Sequence, residues 1–361
     1  MVRAALLHTS GGSFDVVDLV LPDPAPDQVR VRIAAAGVCH SDLSLGNGTL
    51  RQAFPVVLGH EGAGVVVGVG DDVRDVRVGD HVLLNWSPNC GACWFCRHDE
   101  PYLCEHSGDA SKTAYAELSD GTPVYAGLGT GAFAEETVVS VRSVIGVPQA
   151  LDLRLAALLG CAVLTGAGAV MNTARVVRGE SVAVIGLGGV GLSVLQAARA
   201  VGAQPVIAVD RTPEKQELAR VNGATNFVES DPRVGATVRG LTDGRGADHV
   251  FDCVGSSATI RAAWSAARRG GAVTVVGIGR ADDEVKFSAL ELFWFARTLR
   301  GCVFGSSDPA RDIPRLLDLV DRGSIDLSTL ITRTTGLAGI DEAFAEMSAG
   351  RGARTIIDPS R

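Results

Sequence analysis

The sequence predicts an α/β protein of two domains, a mainly β first half followed by a doubly wound parallel sheet. At 361 residues the chain exceeds the size at which one hydrophobic core usually keeps growing. Residues 1 to about 160 carry short apolar runs such as Val29 to Ala35, Gly62 to Val69 and His81 to Leu84, with turn residues between them at short intervals. From about Glu180 the texture changes. SVAVIG, PVIAVD, ATNFV, HVFDCVG and AVTVVGIG are buried-strand runs that alternate with amphipathic helical stretches, which predicts βαβ units. A helix over about Pro309 to Arg322 and a final strand, RTIID, close the chain.

Composition excludes several classes. A net charge of -8 argues against nucleic acid, whose binders usually carry a basic face, and gives no support to an anionic membrane surface. No stretch reads as the roughly 20 apolar residues that a membrane helix needs. The N-terminus, MVRAALLHTSGGSFDVV, reads as a strand and turn without a long apolar core and cleavage site. The expectation is a cytoplasmic protein whose eight cysteines are reduced, so that clusters of them suggest metal before disulfides.

Gly186, Gly188 and Gly191 form G-x-G-x-x-G in GLGGVG. The motif follows the strand SVAVI and opens the helical stretch GVGLSVLQAARAVG, the context it requires. The first glycine permits the tight turn, the second lets backbone approach a pyrophosphate, and the third lets helix pack on strand. Free N–H groups at the helix start, around Gly189 and Val190, then face the phosphates. The next strand ends in Asp210, placed to accept from the adenosine ribose hydroxyls and to repel a 2′-phosphate, which favours NAD over NADP; the adjacent Arg211 softens that discrimination.

Cys90, Cys93, Cys96 and Cys104 lie in CGACWFCRHDEPYLC, a spacing that lets one loop surround a tetrahedral ion with four thiolates. That is a closed structural zinc site with no open position for chemistry. A disulfide pair conflicts with a reducing compartment, and an iron–sulfur cluster usually has its fourth cysteine three residues on, followed by proline. Cys39 in GVCHSD, His60 in GHEGAG and Cys161 in LLGCAVLTG are each bland alone. As a Cys–His–Cys set they match a catalytic zinc with its fourth position open, but spacing alone does not bring them together.

Over essentially its whole length the chain resembles the zinc-containing medium-chain alcohol dehydrogenases. GHEGAGVV, GVCHSD, CGACWFC and GLGGVG carry the resemblance, in that order with GVCHSD first. It implies a GroES-like catalytic domain of residues 1–160 and 306–361 and a Rossmann domain of residues 161–305. It further implies two zinc ions per chain, one catalytic on Cys39, His60 and Cys161 and one structural. Asp42 would orient His60, and Glu61 would stand beside the metal as a temporary ligand. Ser41 would contact the alcohol and start a proton relay, and His40 would face the cofactor pyrophosphate. Lys215 would reach the adenosine ribose, Arg354 the pyrophosphate and Thr165 the nicotinamide, with Val190 behind its ring. Trp86, Leu50 and Leu128, together with Val303 and Phe304, would line the substrate channel, while Cys253 and Cys302 match no ligand position.

The chain departs from the pattern at Ser44, where well-known relatives end the relay in histidine. The activity so implied is reversible hydride transfer between a primary alcohol or aldehyde and NAD in a homo-oligomer, preferably a dimer. A thiol-adduct-dependent formaldehyde dehydrogenase is an alternative, with Lys112 as the one basic residue between Cys104 and Gly127 to anchor the thiol's carboxylate. A nicotinoprotein that retains its cofactor, and a cofactor-binding protein without catalysis, are the others.

Overall fold

The computed structural model describes all 361 residues. The chain forms two compact units: Met1–Ala162 with Asp308–Ala310 and Ile331–Arg361, and Val163–Ser307 with Arg311–Leu330.

The first unit is built on two sheets. One has five strands, in the order Phe14–Leu19, Val2–Leu7, Val56–Val57, Pro123–Ala126 and Ala114–Glu117. The other has seven and is organised around the long strand Gln28–Gly37, which pairs with Glu61–Val69, Glu136–Ser140 and Arg354–Ile357. Val29, Val31 and Ile33 of that strand are buried at a spacing of two, with Arg30 and the exposed Arg32 between them. The alternation stops at Ala35, Ala36 and Gly37, all buried. Small residues there leave room for side chains from the neighbouring strands. The core of this unit gathers Leu6, Val31, Val57, Leu84, Phe133 and Phe344.

The second unit holds six parallel strands: β1 (Val182–Ile185), β2 (Val206–Asp210), β3 (Asn226–Glu229), β4 (Ala247–Asp252), β5 (Ala267–Val275) and β6 (Thr298–Gly301). Their order is β3-β2-β1-β4-β5-β6, so the chain reverses direction across the sheet at β1. Every residue of β1 and β2 is buried, as expected for a parallel sheet covered on both faces. Ile207, Val209, Val250 and Trp264 lie in its core.

Two expectations change. Residues 311–330, assigned from sequence to the catalytic domain, cluster with the second unit. Side-chain bonds account for this: Asn172 Nδ2 donates to Asp312 Oδ2 at 3.1 Å, Gln196 Nε2 to the Asp326 carbonyl at 2.9 Å, and Thr329 Oγ1 to Asn222 Oδ1 at 2.9 Å. The 22-residue helical run Leu153–Ala174 is long and apolar enough to cross a membrane, contrary to the sequence reading, although 83% of its most apolar window is buried inside the protein. The Gly, Ala and Thr residues within the run hide its length from a scan for unbroken apolar residues.

Candidate active site and metal centres

Three elements of the first unit converge on one point. Cys39 follows the end of strand Gln28–Gly37 and precedes the short helix His40–Gly46. His60 and Glu61 stand at the start of strand Glu61–Val69. Cys161 sits in a π-helical turn, Leu159–Val163, a wide turn that re-aims a side chain within a helix. Gly160 lets that turn approach strand His81–Leu84, since a Cβ there would lie 2.6 Å from the Leu84 carbonyl oxygen. One donor atom each from Cys39, His60, Glu61 and Cys161 lie within 4.8 Å of one another, and all four residues are buried.

The surroundings fix these donors. The Asp42 carboxylate is fully buried; its Oδ1 accepts the Gly59 amide at 2.9 Å and lies 3.0 Å from His60 Nδ1. That bond aims His60 Nε2 at Cys161 Sγ, 3.3 Å away. Burial works against charge on His60, but Asp42 and Cys39 outweigh it and hold the imidazole well above its ordinary value. Glu61 pairs across the sheet with Gly37, whose added Cβ would overlap Glu61 Oε2. Through that gap Glu61 Oε1 accepts Arg354 Nη2 at 2.9 Å, both side chains being buried. Burial pushes the Glu61 carboxyl up to about 8 even though Arg354 and His60 pull it down.

A zinc ion fits this set. Two thiols and one imidazole are the donors of a catalytic zinc, the imidazole is oriented through its other nitrogen, and Glu61 Oε2 is buried with no hydrogen-bond partner. The Arg354 guanidinium donates to Glu61 and to the Val38 carbonyl, the latter at 3.3 Å. Sequence reasoning missed this pairing and the part Gly37 plays in it. The one available signal was the loss of alternation at Ala35–Gly37.

The second cluster is local. Cys93 Sγ lies 3.5 Å from Cys96 Sγ and 3.9 Å from Cys104 Sγ, and Cys90 Sγ lies 3.9 Å from Cys96 Sγ. These gaps far exceed a disulfide bond of about 2 Å. Backbone amides point at the sulfurs: Ala92 and Cys93 at Cys90, and Cys90 and His106 at Cys104. The Ala92 and Cys93 amides draw the Cys90 thiol down to about 6, while burial and the neighbouring sulfurs push Cys96 up. Four sulfurs this close would require a cation to be thiolates together, and the closed sulfur set suits structural zinc.

In the second unit Gly186 has φ +89, and a Cβ on Gly191 would overlap the Gly186 carbonyl oxygen. A Cβ on Gly188 would meet nothing within 4 Å, so the space that a pyrophosphate would take is open. Helix Gly189–Ala200 begins there with no side chain capping its first amides. Asp210 is buried; its Oδ2 accepts the Leu187 amide at 2.7 Å and its Oδ1 the Thr212 amide at 3.0 Å, leaving lone pairs for ribose hydroxyls. Lys215 Nζ donates to the Leu187 carbonyl at 3.1 Å and lies 3.6 Å from Asp210. This pair therefore braces the glycine-rich turn. Thr165 is buried, Val190 is half-buried and Arg211 is exposed.

The chain matches the family described as alcohol dehydrogenase GroES-like domain over residues 25–149 and that described as zinc-binding dehydrogenase over residues 189–322. It is 36% identical to an S-(hydroxymethyl)glutathione dehydrogenase of Escherichia coli, covering 98% of this chain and 99% of the relative. It belongs to the zinc-containing medium-chain alcohol dehydrogenases. A solved alcohol dehydrogenase zinc-binding domain protein from Burkholderia ambifaria superposes with a TM-score of 0.93 at 33% identity, covering 99% of this chain and 98% of the other. Benzyl alcohol dehydrogenase from Acinetobacter calcoaceticus superposes with 0.90 at 29% identity, covering 99% of both chains. The chain is thus an oxidoreductase that exchanges hydride between a CH–OH group and NAD, with a GroES-like unit and a Rossmann unit.

In this alcohol dehydrogenase family member, Ser41 Oγ lies 3.9 Å from Cys39 Sγ, beside the metal donors. Trp86 meets the His60 ring edge-on, with centroids 6.1 Å apart. His40 is exposed at the start of the Ser41 helix, and Ser44 is half-buried within it. Leu50 and Leu128 are half-buried against the first unit's core. In the second unit Phe304 is buried and Val303 is half exposed. Burial pushes the thiols of Cys253 and Cys302 up, and neither belongs to the two donor clusters. Lys112 is exposed and its Nζ pairs with Asp109 at 2.7 Å.

Proposed function

We propose that the enzyme oxidises primary alcohols and reduces their aldehydes with NAD, carrying one catalytic and one structural zinc per chain. The convergence of Cys39, His60 and Cys161, with Ser41 alongside, carries this reading. Zinc bound there supplies Lewis acidity toward the substrate oxygen. Ser41 Oγ takes the hydroxyl proton on oxidation and returns it on reduction, and Ser44 with solvent continues the route. Asp42 holds the His60 tautomer, while Trp86 shields the reacting carbon from water and limits branching there. The amides after Gly188 and the Asp210 carboxylate hold the dinucleotide, and Asp210 rejects a 2′-phosphate. We assign His40 and Arg354 to the pyrophosphate side, and Leu50 and Leu128 to the substrate wall.

The test is a panel of alcohols and aldehydes assayed with NAD and NADP, with zinc counted per chain. The reading expects primary alcohols to outrun secondary ones of equal carbon number, NAD to be preferred, and two zincs per chain. Equal rates with NADP, or a single zinc, would sink the corresponding part.

A second reading is favoured by the name of the Escherichia coli relative: oxidation of the adduct between formaldehyde and a thiol. Formaldehyde assayed with and without glutathione separates the two, because only the adduct reading requires the thiol.

We also infer a dimer. β6 is the last strand of its sheet, and the adjoining helix Ala289–Phe295 exposes Leu290, Leu292, Phe293 and Trp294, with Phe293 79% exposed. An open strand edge beside an apolar helix suits a second copy related by a two-fold axis. Light scattering after gel filtration should report twice the chain mass, and Phe293→Asp should halve it. Free thiols throughout suit a cytoplasmic setting.

A further inference from the structure

The turn after β6 has an unusual backbone. Phe304 (φ 51), Gly305 (φ 69) and Ser306 (φ 47) are consecutive left-handed residues, the only run of three in the chain. Non-glycine residues visit this region singly, so two of the three positions are strained. Side chains from the π-helical turn Ala169–Ala174 hold the path. Asn172 Nδ2 donates toward the Gly305 carbonyl at 3.5 Å, Ser307 Oγ at 3.3 Å and Asp312 Oδ2 at 3.1 Å. Thr173 Oγ1 lies 2.8 Å from Ser306 Oγ, and Arg300 of β6 donates to the Thr173 carbonyl at 2.9 Å. Ser307 and Asp312 are buried, and Asp312 is balanced by Arg311 and Arg315.

The turn is also pressed against a helix. A Cβ on Gly168 would overlap the Gly305 carbonyl oxygen and Ser307 Oγ, and one on Gly305 would lie 2.8 Å from the Thr165 carbonyl oxygen. Its place in the sheet shows what it faces. A dinucleotide lies along the carboxyl ends of the strands. The glycine-rich turn after β1 takes the pyrophosphate, and Asp210 at the end of β2 takes the adenosine ribose. The other half of the molecule must then extend toward β4, β5 and β6, where the strained turn stands.

We propose that Asn172 and Thr173 are positioning residues for the nicotinamide half of NAD, holding the turn Phe304–Ser306 in its left-handed path at the carboxyl end of the sheet. This rests on the NAD reading above. A turn with no ligand to meet gains nothing from two strained residues and can relax at the loss of one amide contact. A turn that must present its backbone to a ring is kept in place by side chains from a separate helix.

ADP-ribose separates this role from a structural one, because it carries the adenosine and pyrophosphate but lacks nicotinamide. Affinities of the zinc-loaded full chain for NADH and for ADP-ribose would be measured by titration, for the wild type and for Asn172→Ala. The expected result is about a tenfold loss for NADH, the scale of one hydrogen bond, with ADP-ribose changed by less than about twofold. Parallel losses for both ligands, or no loss for NADH, would overturn the proposal. Should Asn172→Ala not fold, Thr173→Val carries the same test with the same split. A wild-type chain that binds neither ligand would overturn the NAD reading itself, and this inference with it.

Discussion

Cys90, Cys93, Cys96 and Cys104 come from one stretch of chain, and three of them are half-exposed, whereas Cys39, His60 and Cys161 come from three separate elements and are all buried. The local cluster is held mainly by backbone amides aimed at sulfur. The dispersed cluster is held by side chains: Asp42 behind His60, and Arg354 behind Glu61 through the gap at Gly37. The first arrangement is closed and self-sufficient, suited to holding a lobe together. The second, on the function proposed above, would leave one position for substrate, and its precision would depend on residues outside the donor set.

Exchanging one sulfur at each centre tests this division most severely. Cys161→Ala should lower kcat/KM by more than about 10³-fold, because Lewis acidity supplies several kcal/mol to the reaction. The folded chain should retain one zinc and bind NADH normally. Cys104→Ala should also leave one zinc, yet its main effect falls on stability, with Tm down by more than about 10 °C, since structural zinc carries folding energy. Calorimetry and metal analysis on both variants read the outcome. A Cys104→Ala protein of normal Tm and no activity would contradict the division.

Next in size is the support of His60. Asp42→Asn retains the shape and keeps one oxygen able to accept both the Gly59 amide and His60 Nδ1–H, as Oδ1 does now, but it removes the carboxylate charge that strengthens the bond to His60. Zinc affinity or turnover should drop about 10–100-fold, the usual loss when an outer partner of a metal-bound histidine is mutated. Titration against a chelator measures it directly. An unchanged zinc affinity and rate would show that the carboxylate charge adds nothing to the hold on the imidazole.

Gly37→Ala probes the glycine gap. The added methyl overlaps Glu61 Oε2, so the carboxylate must leave Arg354 or the strands must part. A destabilisation of about 1–3 kcal/mol is expected from overpacking, measured by urea denaturation, together with reduced turnover. Wild-type stability in this variant would mean that the Glu61–Arg354 pair adapts without cost.

How much of this was legible in the sequence follows from the same contrast. The glycine-rich turn and the four-cysteine lobe could be read because their chemistry sits within one local segment whose spacing is the geometry. Cys39, His60 and Cys161 could be nominated but not assembled, since only the sheet pairing and the π-turn bring them to within 4.8 Å. Arg354 was not read as a partner of Glu61 for the same reason. Its neighbour Glu61 lies almost 300 residues away in the chain, and Gly37 between them shows in sequence only as a missing side chain. The domain assignment of 311–330 failed because Gln196, Asn172 and Asn222 claim that segment through side-chain bonds with no sequence signature.

The smallest effect is expected at Lys112, and there a near-null result carries information. The local cluster extends into the segment Cys104–Lys112, where Asp109 bridges His106 and Lys112 on the surface. An exposed pair of this kind contributes less than about 1 kcal/mol. Lys112→Ala should therefore leave Tm within a degree or two. If Lys112 anchors a thiol's carboxylate, it must first give up Asp109, and its loss should raise KM for the formaldehyde–glutathione adduct while sparing ethanol. If the enzyme takes simple alcohols, KM should be the same for the variant and the wild type with either substrate. An adduct KM raised about tenfold or more in this variant would give the four-cysteine segment a part in substrate recognition, and would blur the separation between a centre that holds the fold and one that performs the chemistry.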